Sequence, residues 1–500
     1  MISDTGWILL TFVFYFVCMF WIGLYFYKRT ENLSDYVLGG RKLGSWVISM
    51  SAQASDMSGW LLMGLPGLAY LTGIQAGWIA AGLAIGTYFN WKFVAKRLRI
   101  YTEVAGDSIT LPDYFENRFK DKTKVLRVIS AVFILIFFLI YTSSGFVAGA
   151  KLFSFIFGVS YDAALISAVL VIISYTFLGG FSAVCWTDFF QGLLMFFAVT
   201  IIPAYALYLL GGVGEGVKEI QSINPNLLSF FTKLDGTKVG IITIISSLAW
   251  GLGYLGQPHI LVRFMAISSP DKIKKSRLIA MTWVVISLTC SVVIGVIGLV
   301  TLKTHLSGPE SETVFMTLIQ QLFPPYIGGI FLAAILAAIM STADSQLLVT
   351  SSAIAEDFYK VMFRKNAGNR ELVWVGRIAV VVVAFFAALI ALNPNSSVLG
   401  LVSYAWAGFG ATFGPLVLIS LFWKRMTVKG AVAGIIVGGC TALIWKQLHG
   451  GIFDLYEIVP GFLLSSIAIF VVSLLDRKPS EEIYREFEDV NARSNKKQRS

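Results

Sequence analysis

Apolar runs of membrane length recur along this chain between short polar loops, and that alternation constrains its fold more than any other feature. A bilayer core takes about 20 apolar residues as a helix, and only helices or closed barrels satisfy their backbone groups inside it. Runs of at least about 18 residues fall near 6–27, 44–71, 73–95, 125–151, 160–180, 186–211 and 239–263. Others fall near 276–302, 323–355, 371–392, 397–423, 430–448 and 456–475. These runs predict an all-α integral membrane protein of about thirteen transmembrane helices. Only 14% of the residues are charged, where soluble domains carry about 25%.

The net charge of +10 does not point to nucleic acid, because Lys and Arg lie in blocks between the apolar runs. The blocks are Lys28-Arg29 to Arg41-Lys42, Lys92 to Arg127, Lys272 to Arg277, Lys360 to Arg377 and Lys424 to Lys429. The C-terminal stretch adds Arg477-Lys478 and Lys496-Lys497-Gln498-Arg499. Loops near 72–75, 393–397 and 449–457 hold no Lys or Arg. All the basic blocks share one side if the N-terminus is outside and the C-terminus cytoplasmic, in the plasma membrane. The loop near 212–238 fits less well, with Lys218, Lys233 and Lys238 partly offset by Glu215, Glu219 and Asp235. The first run is too long for a signal h-region and lacks a basic flank, so no cleavable signal is expected. From Pro479 onward the chain is polar and is expected to be a disordered cytoplasmic tail.

Chemistry of other kinds has little support. Cys18, Cys185, Cys290 and Cys440 have spacings that suit neither a metal site nor a disulfide framework, and His259, His305 and His449 are scattered. Walker A loops, paired His-Glu metal motifs and nucleophile elbows are lacking, so neither an enzyme nor an ATP-driven pump is expected. Transport on an ion gradient fits better.

Two apolar runs are interrupted. Ser51-Ala52-Gln53-Ala54-Ser55-Asp56-Met57-Ser58-Gly59 puts an acid, hydroxyls and a glycine in mid-span, where a charge is costly unless it faces a cavity or a partner. A helix break there leaves free N–H groups at Ser58 and Gly59, a positive dipole end for a carboxylate, with carbonyls for a cation on the other side. The competing reading is an ordinary span with a small-residue packing face. Ala249-Trp250-Gly251-Leu252-Gly253-Tyr254-Leu255-Gly256-Gln257-Pro258 cannot sustain a regular helix either. Interrupted spans at matching places in two halves point to a transporter's binding site. Spans two to six (44–211) and seven to eleven (239–423) then form inverted repeats of five within a 44–423 core. Residues 1–43 and 424–475 are peripheral, and 476–500 forms the tail.

Three polar groups stand out. Met340-Ser341-Thr342-Ala343-Asp344-Ser345-Gln346 places hydroxyls near Ala337 and Ala338 in the ninth span, where they suit a hard cation or bond back to their own helix. Trp250 and Tyr254, with Tyr141, offer one wall for an apolar ring bearing an amine, although many rings in such a chain simply face lipid. Asp188 begins the sixth span, as an ion-route residue or as a helix-start carboxylate.

At these residues the chain resembles the sodium–solute symporter family, specifically its sodium/proline symporter branch. The likeness runs from about Asp35 to Leu475 and is carried by four stretches: Asp35 to Arg41, Ala54 to Gly67, Trp250 to Tyr254 and Leu401 to Ala411. It implies a leucine-transporter-like 5+5 inverted repeat with two broken helices. It implies Na+ as coupling ion at the carbonyls of Ala54, Met57 and Ala338 and the hydroxyls of Ser341 and Thr342. It further implies L-proline against Ser58, Gly59, Tyr141, Trp250 and Tyr254, with Asp56, Arg41 and Asp188 sensitive for coupling or gating. Asp344 departs from the branch pattern, which bears on ion stoichiometry. The expected function is Na+-coupled L-proline uptake by alternating access, with membrane lipid around it and no obligate protein partner. A carrier of another small zwitterion or osmolyte, a transporter-like solute sensor and, less favoured, a channel are the alternatives.

Overall fold

The computed structural model describes residues 3–27, 33–176 and 180–495, so Lys28, Arg29 and the 496–499 basic group lie outside the described residues. Helix α1 (Asp4–Tyr27) leads through a short helix, Leu33–Leu38, to a left-handed turn at Gly39–Arg41. The first interrupted span follows as α2 (Ser45–Asp56) and α3 (Leu65–Thr72), joined through a π turn at Trp60–Gly64. Next come α4 (Gly77–Phe89) and α5 (Ala95–Val104), continuous through a second π turn, then α6 (Leu111–Phe119). Helices α7 (Val125–Phe157), α8 (Tyr161–Thr176) and α9 (Phe181–Leu209) complete the first half.

After the short α10 (Val213–Ile223), the second interrupted span runs as α11 (Ile241–Leu248), a 3₁₀ stretch Ala249–Gly256 and α12 (Pro258–Ala266). It is followed by α13 (Ile273–Thr301), α14 (Val314–Leu322), α15 (Pro325–Ser352), α16 (Asn369–Ile390) and α17 (Val398–Phe422). Three helices close the chain: α18 (Val428–Trp445), α19 (Ile458–Leu475) and α20 (Glu481–Asn495).

Among the described residues, ten helical segments are long and apolar enough to cross a membrane. With the two interrupted spans and the shorter α8 they give about thirteen passages, as the apolar runs predict. Among the described residues the only β pairings are two isolated bridges, Leu43 with Ile267 and Thr232 with Lys238. The apolar window of α17 is 89% buried and that of α15 is 83% buried, against 28% for α1 and 33% for α19. The center of the bundle is therefore α15 and α17, and α2 packs with α9, α12, α13 and α15. The first and last spans form the lipid-facing rim.

The tail corrects the sequence expectation. Residues 481–495 are helical and docked rather than disordered. Ile483, Phe487 and Val490 are buried, an i, i+4, i+7 stripe that lies within a strongly charged segment. Phe487 meets the Tyr101 ring at 6.4 Å, with the Arg97 and Arg118 guanidinium groups 5.1 and 5.6 Å from its centroid. Lys120 pairs with Glu482 at 3.1 Å and Glu486 at 2.5 Å, and Lys424 pairs with Glu488 at 3.1 Å. The helix thus lies across α5, α6 and the link after α17, on the basic face.

Candidate ion and substrate site

The first break is a single tight turn. Helix α2 ends at Asp56, and Met57 adopts φ −83° and ψ 73°, an inverse γ conformation. Its product is a hydrogen bond from Ser58 N–H to Asp56 O at 3.0 Å. The Ser58 N–H, expected to be free, is therefore engaged. The Ser58 hydroxyl turns the other way and accepts from Trp60 N–H at 3.4 Å, in the manner of an N-cap on the outer half-helix. Asp56 O accepts two further donors, Trp60 Nε1–H at 3.0 Å and the Tyr141 hydroxyl of α7 at 3.4 Å. Gly59 lets α7 and α15 close on the turn. A Cβ there would stand 2.9 Å from Ala148 Cβ and 3.5 Å from Ile339.

Two residues before the turn's acid, the chain presents an oxygen cluster. Ser341 Oγ of α15 donates to Ala54 O at 2.7 Å and also to Ala338 O at 3.2 Å, and Thr342 Oγ1 donates to Ala54 O at 3.4 Å. Ala54, Ala338 and Ser341 are fully buried and Thr342 nearly so. Ala54, Ala338, Ser341 and Thr342 of the predicted cation set thus converge, and Met57 sits at the turn beside them. Hydroxyl and carbonyl oxygens without a competing charge are the donor set a hard monovalent cation takes.

The second break is long and braced. Trp406 Nε1–H of α17 donates to Trp250 O at 2.7 Å, and Asn90 Nδ2–H donates to Tyr254 O at 2.9 Å, so side chains take up two carbonyls of the 3₁₀ stretch. Gly253 and Gly256 let this stretch lie directly on α17; a Cβ would overlap the Trp406 indole at the first and the Phe409 backbone at the second. Tyr254 reaches across and donates to Asp56 Oδ2 at 2.5 Å, which ties the two breaks together.

Trp250 takes another direction, which corrects the single-wall expectation. A 3₁₀ helix turns about 120° per residue, so positions four apart diverge by about 120° instead of stacking on one face. The Trp250 ring lies 5.6 Å from Tyr456, 6.2 Å from Trp60 and 6.4 Å from Trp406. It floors a cavity of about 600 Å³ whose lining includes Ser246, Ser403, Lys446, Tyr456 and Glu457, on the face opposite the basic loops. Trp406 stands between the two rings, 5.0 Å from Tyr254.

Asp188 is not a helix-start carboxylate. It lies well inside α9, fully buried, and its Oδ2 accepts from Ser51 Oγ at 2.7 Å and pairs with Arg263 of α12 at 3.1 Å. Arg263 also donates to Ser345 Oγ at 2.5 Å and to its own helix at His259 O. Asp344 is fully buried beside Ser345, and neither carboxylate oxygen has a hydrogen-bond partner. The sequence reading missed Arg263, although a lone cation and a lone acid within membrane spans pair by default. It also missed Trp60, Asn90 and Trp406, whose role is to satisfy carbonyls that a break exposes. Arg41 lies apart from this cluster, on the basic face, where it pairs with Asp107 at 2.9 Å and donates to Ser108 O at 3.0 Å.

Two discontinuous helices with their breaks bridged at the center of a bundle define the class, a broken-helix secondary transporter. The profile of the sodium:solute symporter family matches residues 36–438, and the chain belongs to that family. It is 50% identical over 489 residues to the sodium/proline symporter of Escherichia coli (strain K12), covering 97% of this chain and 96% of that one. It is 51% identical over 475 residues to the high-affinity proline transporter PutP of Bacillus subtilis (strain 168), covering 94% and 98%. A solved structure of a substrate-bound, outward-open Na+-coupled sialic acid symporter matches its fold with a TM-score of 0.79 at 21% identity, covering 96% of this chain and 100% of that one.

Proposed function

We propose that this protein is a secondary active transporter that couples L-proline uptake to Na+ entry by alternating access. The observation that carries the reading is the reach of Ser341 and Thr342 on α15 to Ala54 O on α2, next to the first break. Na+ takes the carbonyls of Ala54, Met57 and Ala338 and the two hydroxyls, so their protons swing away from Ala54 O. The ion then joins α2 to α15 directly. Proline's carboxylate lies against the capped start of the outer half-helix at Ser58 and Gly59, its ring lies toward Tyr141 and Tyr254, and Trp250 bounds the site from the far side of Trp406. Asp56 sits between ion and substrate, and Tyr254 carries its state to the second break. Each ligand favors the same arrangement, so each raises the other's affinity by the same factor.

Residues 44–211 and 239–423 act as the two repeats, 1–43 and 424–475 as peripheral helices, and 476–500 as a cytoplasmic segment. The N-terminus is external, the C-terminus internal and the membrane the plasma membrane. Close relatives that carry proline names support the substrate, and family membership supports the ion. Uptake of labelled proline into proteoliposomes, with and without a Na+ gradient and with other amino acids as competitors, tests the reading. Proline uptake that ignores sodium, or a competitor that outruns proline, overturns it. Single cysteines near Ser307 and Ser494, in a background lacking the native four, should label from opposite sides.

A further inference from the structure

A large groove lies on the basic face, lined by none of the residues of either break. It has a volume of about 960 Å³ and runs between the start of α7, the first half of α18 and the link from α19 to α20. Its inner wall is apolar: Val428, Val432 and Ile436 recur every fourth residue along α18, with Val125 of α7 opposite. That stripe extends about 12 Å along the helix from its end on the basic face. Ile436 and Val125 are exposed, so the wall opens sideways to lipid.

The mouth is basic. Five cations line the cavity, Lys120, Lys122, Lys429, Arg477 and Lys478, against three carboxylates, Asp121, Asp476 and Glu482. The carboxylates are all engaged. Asp476 holds Lys429 at 3.0 Å, Glu482 holds Lys120 at 3.1 Å, and Asp121 accepts from Thr123 N–H and Leu126 N–H at 3.0 and 2.9 Å. Among the described residues the side chains of Lys122, Arg477 and Lys478 join no ion pair, and all three are exposed. Unpaired cations ring the polar end of a slot whose other end is apolar and open to the bilayer.

We propose that this groove binds an anionic phospholipid, its phosphate held by Lys122, Arg477 and Lys478 and one acyl chain laid along Val428, Val432 and Ile436. Basic pockets between membrane helices recognize acidic headgroups in this way. The topology proposed above makes it a lipid of the cytoplasmic leaflet, but the binding chemistry does not depend on that assignment. A bound lipid bridges α7, α18 and the 476–480 link, and so steadies the segment from which α20 reaches α5 and α6.

The test is lipid retention by the purified full-length protein in nanodiscs of mixed phosphatidylglycerol and phosphatidylcholine, read by native mass spectrometry. Phosphatidylglycerol should be retained preferentially, and the triple variant Lys122→Gln, Arg477→Gln, Lys478→Gln should lose about tenfold of that preference. Each cation near an acidic headgroup is worth about fivefold, so about 100-fold is the ceiling. Val432→Trp, which fills the apolar run and leaves the charges in place, should lower phosphatidylglycerol retention even if the triple variant does not fold. Equal retention of the two lipids by the parent protein overturns the proposal, as does an unchanged preference in the triple variant. Displacement of the lipid by millimolar inorganic phosphate overturns it too, since the cations then hold a free anion. Retention in nanodiscs needs neither sodium nor proline, so a failure here is separate from a failure of the transport reading.

Discussion

The two breaks handle the same difficulty, a backbone out of helix in the middle of a membrane, in opposite ways. At the second, 8 residues of 3₁₀ helix are held by an indole and an amide and pressed onto α17 through glycines. At the first, two residues, Met57 and Ser58, leave the helix, and Ala54 O shortly before them is met by two hydroxyls. A carbonyl bonded to a fixed indole has little to offer an ion. A carbonyl bonded to hydroxyls can exchange them for a cation, because a hydroxyl oxygen serves either as donor or as ligand. The comparison assigns bracing to the second break and exchange to the first.

The largest expected effect breaks the brace. Trp406→Ala removes a buried ring that contacts Trp250 and Tyr254 and leaves Trp250 O unpaired, and should cost about 3–5 kcal/mol of stability with or without sodium. Thermal melting in detergent reads it. A loss seen only in sodium would show that the second break also takes the ion.

Next is the link between the breaks. Tyr254→Phe keeps the ring and removes the donor to Asp56 Oδ2, a fully buried bond worth up to about 3 kcal/mol. A double-mutant cycle with Asp56→Ala, which removes the acceptor, should give a coupling energy of that order when read on stability. Additive effects would mean that the breaks move independently.

A smaller effect is expected at the cavity floor. Trp250→Ala should weaken proline binding at saturating sodium by about 1–3 kcal/mol and relax discrimination against larger amino acids. Wild-type affinity in that variant would place the ring outside the substrate path.

Much of this was legible in the residues. Apolar length gave the spans, and Gly, Pro and mid-span polar residues gave both breaks, because each rests on local chemistry. What was missed rests on contacts between distant segments. Asp188 reads as a helix start until Arg263, remote in sequence, folds beside it. Trp250 and Tyr254 read as one wall from their shared short stretch, until Trp406, remote in sequence, folds between the two rings. The α20 segment reads as disordered because its three buried residues are spread among charges, and its stability comes from Arg97, Arg118 and Lys120 on other helices.

The central claim is that the first break is the one that exchanges partners for an ion, and sodium-dependent thermal stability of the purified protein tests it most directly. A ligand that binds only the folded state adds about 2.7 kcal/mol at a hundred times its dissociation constant. The parent protein should gain stability with sodium over potassium, and Ser341→Ala with Thr342→Ala, which also loses the two bonds to Ala54 O and so melts lower in potassium, should lose most of that sodium-dependent gain. A double variant with the parent's full sodium-dependent gain would contradict the account.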